Sequence, residues 1–199
     1  MRLSDATFGE PCLSGGGGDV LTRFGAMTAP RFVTLLNEQI GHEFSAHQQY
    51  LACAVHYDAL TMPQMAGFFY AQAMEERSHA MMMVRFLLDT GARVELSGVA
   101  VPQTRFADVV EPVALALEQE KRVTEQIHAL TRTAREEDDL AAEQFMQWFI
   151  KEQVEEVASM STLLAVATRA AGVDALEDWV AREHHDEGGD PTAPPAAGA

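Results

Sequence analysis

Cysteine, basic residues and long apolar runs are all scarce in this chain of 199 residues, and each scarcity removes a class of protein. Two cysteines, Cys12 and Cys53, cannot build a disulfide framework. With Cys53 inside a predicted helix, they point to a reducing, cytoplasmic setting. Lys and Arg number 14 against 30 Asp and Glu, a formal net charge of −16. That balance argues against nucleic acid and against an anionic membrane surface, and makes cations the natural partners. No apolar stretch reaches the length of a membrane span. The start, Met1-Arg2-Leu3-Ser4-Asp5-Ala6-Thr7, lacks the apolar core of a secretion signal. Strand patterning is also weak: Val94-Glu95-Leu96 and Val99-Ala100-Val101 are at most briefly extended.

What is present is helical periodicity over residues 30–184, between two segments read as disordered. Residues 1–29 contain Gly15-Gly16-Gly17-Gly18 and little periodicity, with Met27 an alternative start. Residues 185–199 form a second such tail, rich in Pro and Ala. The first helix is predicted from Pro30 to Leu60. The second opens at Thr61-Met62-Pro63-Gln64, where Thr61 and Gln64 make a capping-box pattern with Pro63 in the first turn. Gly91 suits the left-handed residue that ends it. Residues 92–110 have no helical period and form a long connection. A third helix runs from Pro112 to Glu137-Asp138, a fourth from its cap Asp139 to Gly172, and a short fifth follows with Asp174 and Glu177 as a capping pair. Two short connections around a long one predict an all-α four-helix bundle with a single crossover.

One set of metal-capable residues occurs twice within this frame. Glu43, Glu76 and His79 recur 77 positions later as Glu120, Gln153 and Glu156. In each copy a lone carboxylate is followed by a pair three apart, which share one face of a helix. Residues equidistant from the turn of an antiparallel hairpin lie level. The midpoint of Glu43 and His79 falls at Thr61, and that of Glu120 and Glu156 at Asp138, both at predicted turns. Steps of three and four through Leu36, Ile40, Glu43, His47 and Tyr50, or through Phe149, Gln153, Glu156 and Met160, keep the candidates on the core stripe. A carboxylate there is costly unless it is paired, protonated or bound to a cation. Hard oxygen donors with one imidazole and no thiolate favour iron or manganese over structural zinc.

At this point the chain resembles the ferritins, specifically the non-haem bacterial ferritins, over about residues 30–184. The resemblance rests on Asn37-Glu38-Gln39-Ile40-Gly41-His42-Glu43-Phe44, on Glu75-Glu76-Arg77-Ser78-His79-Ala80, and on Gln144-Phe145-Met146-Gln147-Trp148-Phe149 leading into Glu152-Gln153-Val154-Glu155-Glu156. It implies a ferritin-like bundle with a long crossover, a short C-terminal helix and a di-iron ferroxidase centre. Glu43, Glu76 and His79 would bind the first iron, Glu76 would bridge, and Glu120 with Glu156 would bind the second near Gln153. Tyr50 and Trp148 match aromatic residues beside such a centre. A third iron site would use Glu75, Glu152 and Glu155, with Glu156 shared. The implied activity is oxidation of Fe(II) by O2 or peroxide, with storage as ferric oxyhydroxide in a hollow homo-oligomeric shell of 24 subunits. No haem is expected, because Arg77 stands where haem-containing bacterioferritins carry a methionine and Glu156 where they carry histidine.

Other readings stay in view. A shell subunit that nucleates mineral without oxidising iron lacks such ligands. A di-iron enzyme acting on organic substrates, or a rubrerythrin-like peroxide reductase, would carry a second Glu-x-x-His or a Cys-x-x-Cys domain. His47, one turn from Glu43, is either an extra ligand or a partly buried structural histidine. Met81-Met82-Met83 reads as core or interface filler, His184-His185 as a solvated pair, and Arg135-Glu136-Glu137-Asp138-Asp139 as a solvated turn or, by the resemblance, an acidic entry point for iron.

Overall fold

The computed structural model describes residues 28–183 and 190–198. Cys12, Met27, the rest of residues 1–27 and His184-His185 lie outside the described residues. Five helices follow in order: α1 Pro30–Ala59, α2 Pro63–Asp89, α3 Glu111–Glu136, α4 Leu140–Arg169 and α5 Val173–Glu183. No strand occurs among the described residues, including 94–101. α1 pairs with α2 and α3 with α4, the two hairpins meet between α1 and α3, and α5 packs on α2.

Both hairpin turns are built the same way. Met62 N–H donates to the Tyr57 carbonyl and Thr61 N–H to the Asp58 carbonyl; 77 positions on, Asp139 donates to Ala134 and Asp138 to Arg135. Thr61 and Asp138 take the left-handed conformation, with φ 58° and 56°, as the residue after a helix C-cap must when the chain reverses. Thr61 therefore does not cap α2, contrary to the sequence expectation: the residue before α2 is Met62, with no side-chain cap. The Glu177 carboxylate does that work from α5, accepting from Gln64 N–H and Met65 N–H at 2.9 Å each. Asp174 and Glu177 are thus not a local capping box, because Glu177 is used on another helix. Asp139 caps α4 as expected, accepting from Ala142 N–H at 2.9 Å, and its second oxygen accepts from Ala29 N–H at the head of α1. α4 stops at Arg169 rather than Gly172, since Ala170 turns to an extended backbone.

Gly91 closes α2 at φ +72°, where a left-handed residue favours glycine. The crossover then runs along the outside of α1, pinned by a row of polar side chains. Asn37 bonds Arg93 O and Glu95 N–H, Ser45 accepts from Ala100 N–H, Gln49 exchanges two bonds with Gln103, and the Tyr57 hydroxyl donates to Val109 O. Gly41 lies in this row, and a Cβ there would collide with the Ser97 hydroxyl.

The core is divided in two. One apolar cluster holds Tyr50, Tyr57, Met65, Phe69, Val113, Met160 and Leu163. The other holds Phe32, Leu36, Ile40, Met83, Leu87, Ile127, Met146 and Phe149. Each of the four long helices contributes to both, so each crosses a gap in the apolar stripe. Into that gap fall Glu43, Glu76, His79, Glu120, Gln153 and Glu156.

Residues 190–198, assigned by the sequence to a disordered tail, are instead seated against α2 and α4. Asp190 accepts from Trp148 Nε1 and Lys151 Nζ at 3.1 Å each, and Ala197 N–H donates to Met81 O at 3.0 Å. A segment mostly of Pro, Ala and Gly held by a few polar anchors leaves no periodic signal to read.

Candidate metal centre

All six polar residues of the gap are nearly inaccessible, from 0% exposure at Glu120 to 5% at Gln153 and Glu156. Four of them are carboxylates. No Lys or Arg among the described residues pairs with any of the four; the nearest cation-capable group is His79, whose Nδ1 lies 3.8 Å from Glu76 Oε2. Removing an ionised carboxylate from water costs several kcal/mol even after the protein relaxes. Four together are sustainable only if protons or cations neutralise them.

Ligand atoms of Glu43, Glu76 and His79 lie within 4.8 Å of one another. Gln39, one turn before Glu43, donates to Glu43 Oε1 at 2.9 Å. Glu43 Oε2 and Glu76 Oε2 are buried with no hydrogen-bond partner, which is unusual for buried carboxylate oxygens and typical of positions meant for a ligand. His79 is held edge-on by Trp148 and Phe149, with ring centroids 5.6 and 5.8 Å away. Across the gap, Glu120 accepts from the Tyr50 hydroxyl on Oε1 and faces Gln153 Nε2 at 3.5 Å on Oε2. Thr124 Oγ1 reaches Gln153 Oε1 at 2.8 Å.

The electrostatics follow from burial. Desolvation raises the Glu76 carboxyl well above its ordinary range, and the charges of Glu120 and Glu43 add to it. Glu156 is raised by burial and by Glu120. Glu120 is pushed by burial to about 7, less far because Tyr50 and Gln153 donate to it. Burial, and then the Glu120 charge, raise the Tyr50 phenol. Carboxyls raised in this way are suited to exchanging their protons for a metal ion.

A second group lies beside the first: Glu75, His79 and Glu152 have ligand atoms within 4.8 Å of one another. They line a cleft of about 340 Å³ with Trp148 and Asp190, and Gln72 donates to Glu75 at 2.6 Å. Glu152 is pushed to about 7 by burial and by Glu75. Glu155, expected in this group, is exposed and pairs with Lys151 at 3.7 Å, so the structure does not bring it in. His47 Nδ1 meets the Ala73 carbonyl oxygen at 2.5 Å, and His47 is in neither group of metal-capable residues. Sequence reasoning missed Gln39, Gln72 and Asp190 as partners of these residues. Gln39 had a readable signal, since it stands one turn from Glu43 on the same stripe; Asp190 had none.

A single-crossover bundle whose core is interrupted by carboxylates from all four helices defines the class of metal-binding carboxylate bundles. Residues 33–170 match the ferritin-like domain family. Ferritin BfrB of Mycolicibacterium smegmatis is 51% identical over 179 residues, covering 89% of this chain and 98% of the relative. The bacterial non-heme ferritin of Staphylococcus aureus is 35% identical over 143 residues, covering 72% and 86%. Among solved structures, an open pore ferritin from the hyperthermophilic archaeon Archaeoglobus fulgidus superposes with TM-score 0.75 at 30% identity, covering 79% of this chain and 97% of that one. This chain belongs to the ferritin family, the iron-storage proteins.

Proposed function

We propose that this ferritin oxidises Fe(II) with O2 at the buried centre and stores the product as ferric oxyhydroxide within a hollow shell of 24 cytoplasmic subunits. The observation that carries the reading is the layer of four inaccessible carboxylates with one imidazole, no basic counter-charge and two unpartnered oxygens. Glu43, Glu76 and His79 bind the first iron. Glu120 and Glu156, with Gln153, bind the second, and Glu76 would bridge the two. Anionic oxygen donors stabilise Fe(III) more than Fe(II), so the ligand set favours oxidation. Tyr50 holds Glu120 in place through its hydroxyl. Gln153, neutral where a carboxylate would bind harder, keeps the second position weaker and suits release of product. Glu75 and Glu152 receive iron on its way out; Glu155 is left from that role, and haem has no part in it.

Assembly is supported by the crossover, where Leu96, Val99 and Val101 are exposed beside a groove of about 920 Å³ against α1. Apolar side chains exposed in this way mark a surface that a second subunit covers.

Metal-stripped protein mixed with Fe(II) in air should develop ferric absorbance faster than buffer alone. Glu76→Ala and His79→Ala should lose the fast phase while eluting at the size of the parent assembly. Oxidation no faster than in buffer would overturn the catalytic reading, and elution as a small dimer would overturn storage.

A further inference from the structure

Thr124 stands one turn after Glu120 on α3, with its Oγ1 2.8 Å from the Glu120 backbone carbonyl oxygen and 2.8 Å from Gln153 Oε1. A threonine hydroxyl has one proton to give and two lone pairs to offer. Both neighbours are acceptors, so one proton serves two oxygens. Turning the Gln153 amide end over end resolves the conflict. Its Nε2 would then donate to Thr124 Oγ1, while the Thr124 proton goes wholly to the Glu120 carbonyl. The torsion involved is broad and two-fold, so the turn meets little intrinsic resistance.

The same turn exchanges what Gln153 shows to Glu120. At present Nε2 faces Glu120 Oε2 at 3.5 Å. Turned over, Oε1 would face it, and two oxygens at that distance repel unless a cation or a proton lies between them. With a metal ion seated there, both oxygens become ligands, Gln153 Nε2 donates to Thr124 Oγ1, and the Thr124 proton has a single acceptor. The geometry points to Thr124 as the positioning residue that lets Gln153 turn its carbonyl onto the second metal, by taking either end of the amide. A side chain that both donates and accepts is required at position 124. Serine meets that requirement and valine, of the same shape as threonine, does not.

This inference rests on the two-metal reading above. Its test uses Co(II), a redox-inert probe, titrated into the assembled, metal-stripped protein and followed by equilibrium dialysis and visible absorption. The second-site signal is defined as the part lost in Glu120→Ala. Thr124→Val should weaken the second Co(II) about tenfold, the value of one buried hydrogen bond, and leave the first unchanged. Thr124→Ser should restore it. In a Gln153→Ala background, Thr124→Val should have no further effect, because the residue acts through the amide. Second-site affinity unchanged in Thr124→Val, no rescue by serine, or the same tenfold fall without Gln153 would each overturn the role of Thr124. Fewer than two Co(II) ions per subunit in the parent protein would instead overturn the two-metal centre, and the inference with it.

Discussion

Thr61 and Asp138 occupy equivalent places in the two hairpins: 77 positions apart, they are the two non-glycine residues with positive φ among the described residues, at 58° and 56°. Each lies midway between the carboxylate of one helix and the partner it faces on the next. The equivalence extends to Glu75 and Glu152, also 77 positions apart, which approach one another across the hairpins. The centre is therefore two similar half-sites facing each other, differing chiefly where His79 is answered by Glu156 and Glu76 by Gln153.

A β-branched residue in the left-handed region is strained, whereas aspartate tolerates it. Thr61→Gly should thus stabilise the protein by about 1 kcal/mol, and Asp138→Gly by less. Thermal unfolding of the two variants measures this. A lower midpoint for Thr61→Gly than for the parent would show that the turn is not strained.

The heights and facing of the centre were legible because helical period and distance from a turn are local arithmetic. Thr61 was misread as a cap because a capping-box pattern is also local, and the group that actually satisfies α2 comes from a residue more than a hundred positions away. Glu155 failed for a related reason: it lies within three positions of both Glu152 and Glu156, but it projects to solvent beside Lys151. The anchoring of Asp190 depends on a tertiary meeting with Trp148 that no periodicity encodes.

Glu177 offers a direct test of that long-range cap. Its carboxylate satisfies two N–H groups in the first turn of α2 and opposes the positive end of the helix dipole. Glu177→Ala should cost about 1–2 kcal/mol of stability and leave Co(II) binding unaltered. An unchanged unfolding midpoint would mean that water replaces the carboxylate at no cost.

The raised carboxylates give metal-stripped protein a defined pH dependence. Glu120 and Glu152 titrate near 7 in the folded chain, against an ordinary carboxylate range near 4.5. Between those values the folded chain holds protons that the unfolded chain has lost, so stability falls as pH rises through the window. Unfolding midpoints should drop from pH 5 to pH 8, and the drop should be smaller in Glu120→Gln, which removes one such proton. Equal drops in both proteins would exclude Glu120 as a contributor.

Glu76 carries the sharpest trade between binding and stability. Its carboxyl is buried, raised by Glu120 and Glu43, and has an oxygen with no partner. Replacing a buried carboxyl that lacks a counter-charge by a neutral amide of similar shape removes the cost of desolvating its charged form. Glu76→Gln should accordingly unfold at a higher temperature than the parent when both are stripped of metal at pH 7.5. Adding Co(II) should reverse the order, because the parent gains the binding free energy and the variant loses a ligand of the proposed centre. If the stripped variant were the less stable of the two, the carboxylate would be serving the fold rather than the metal.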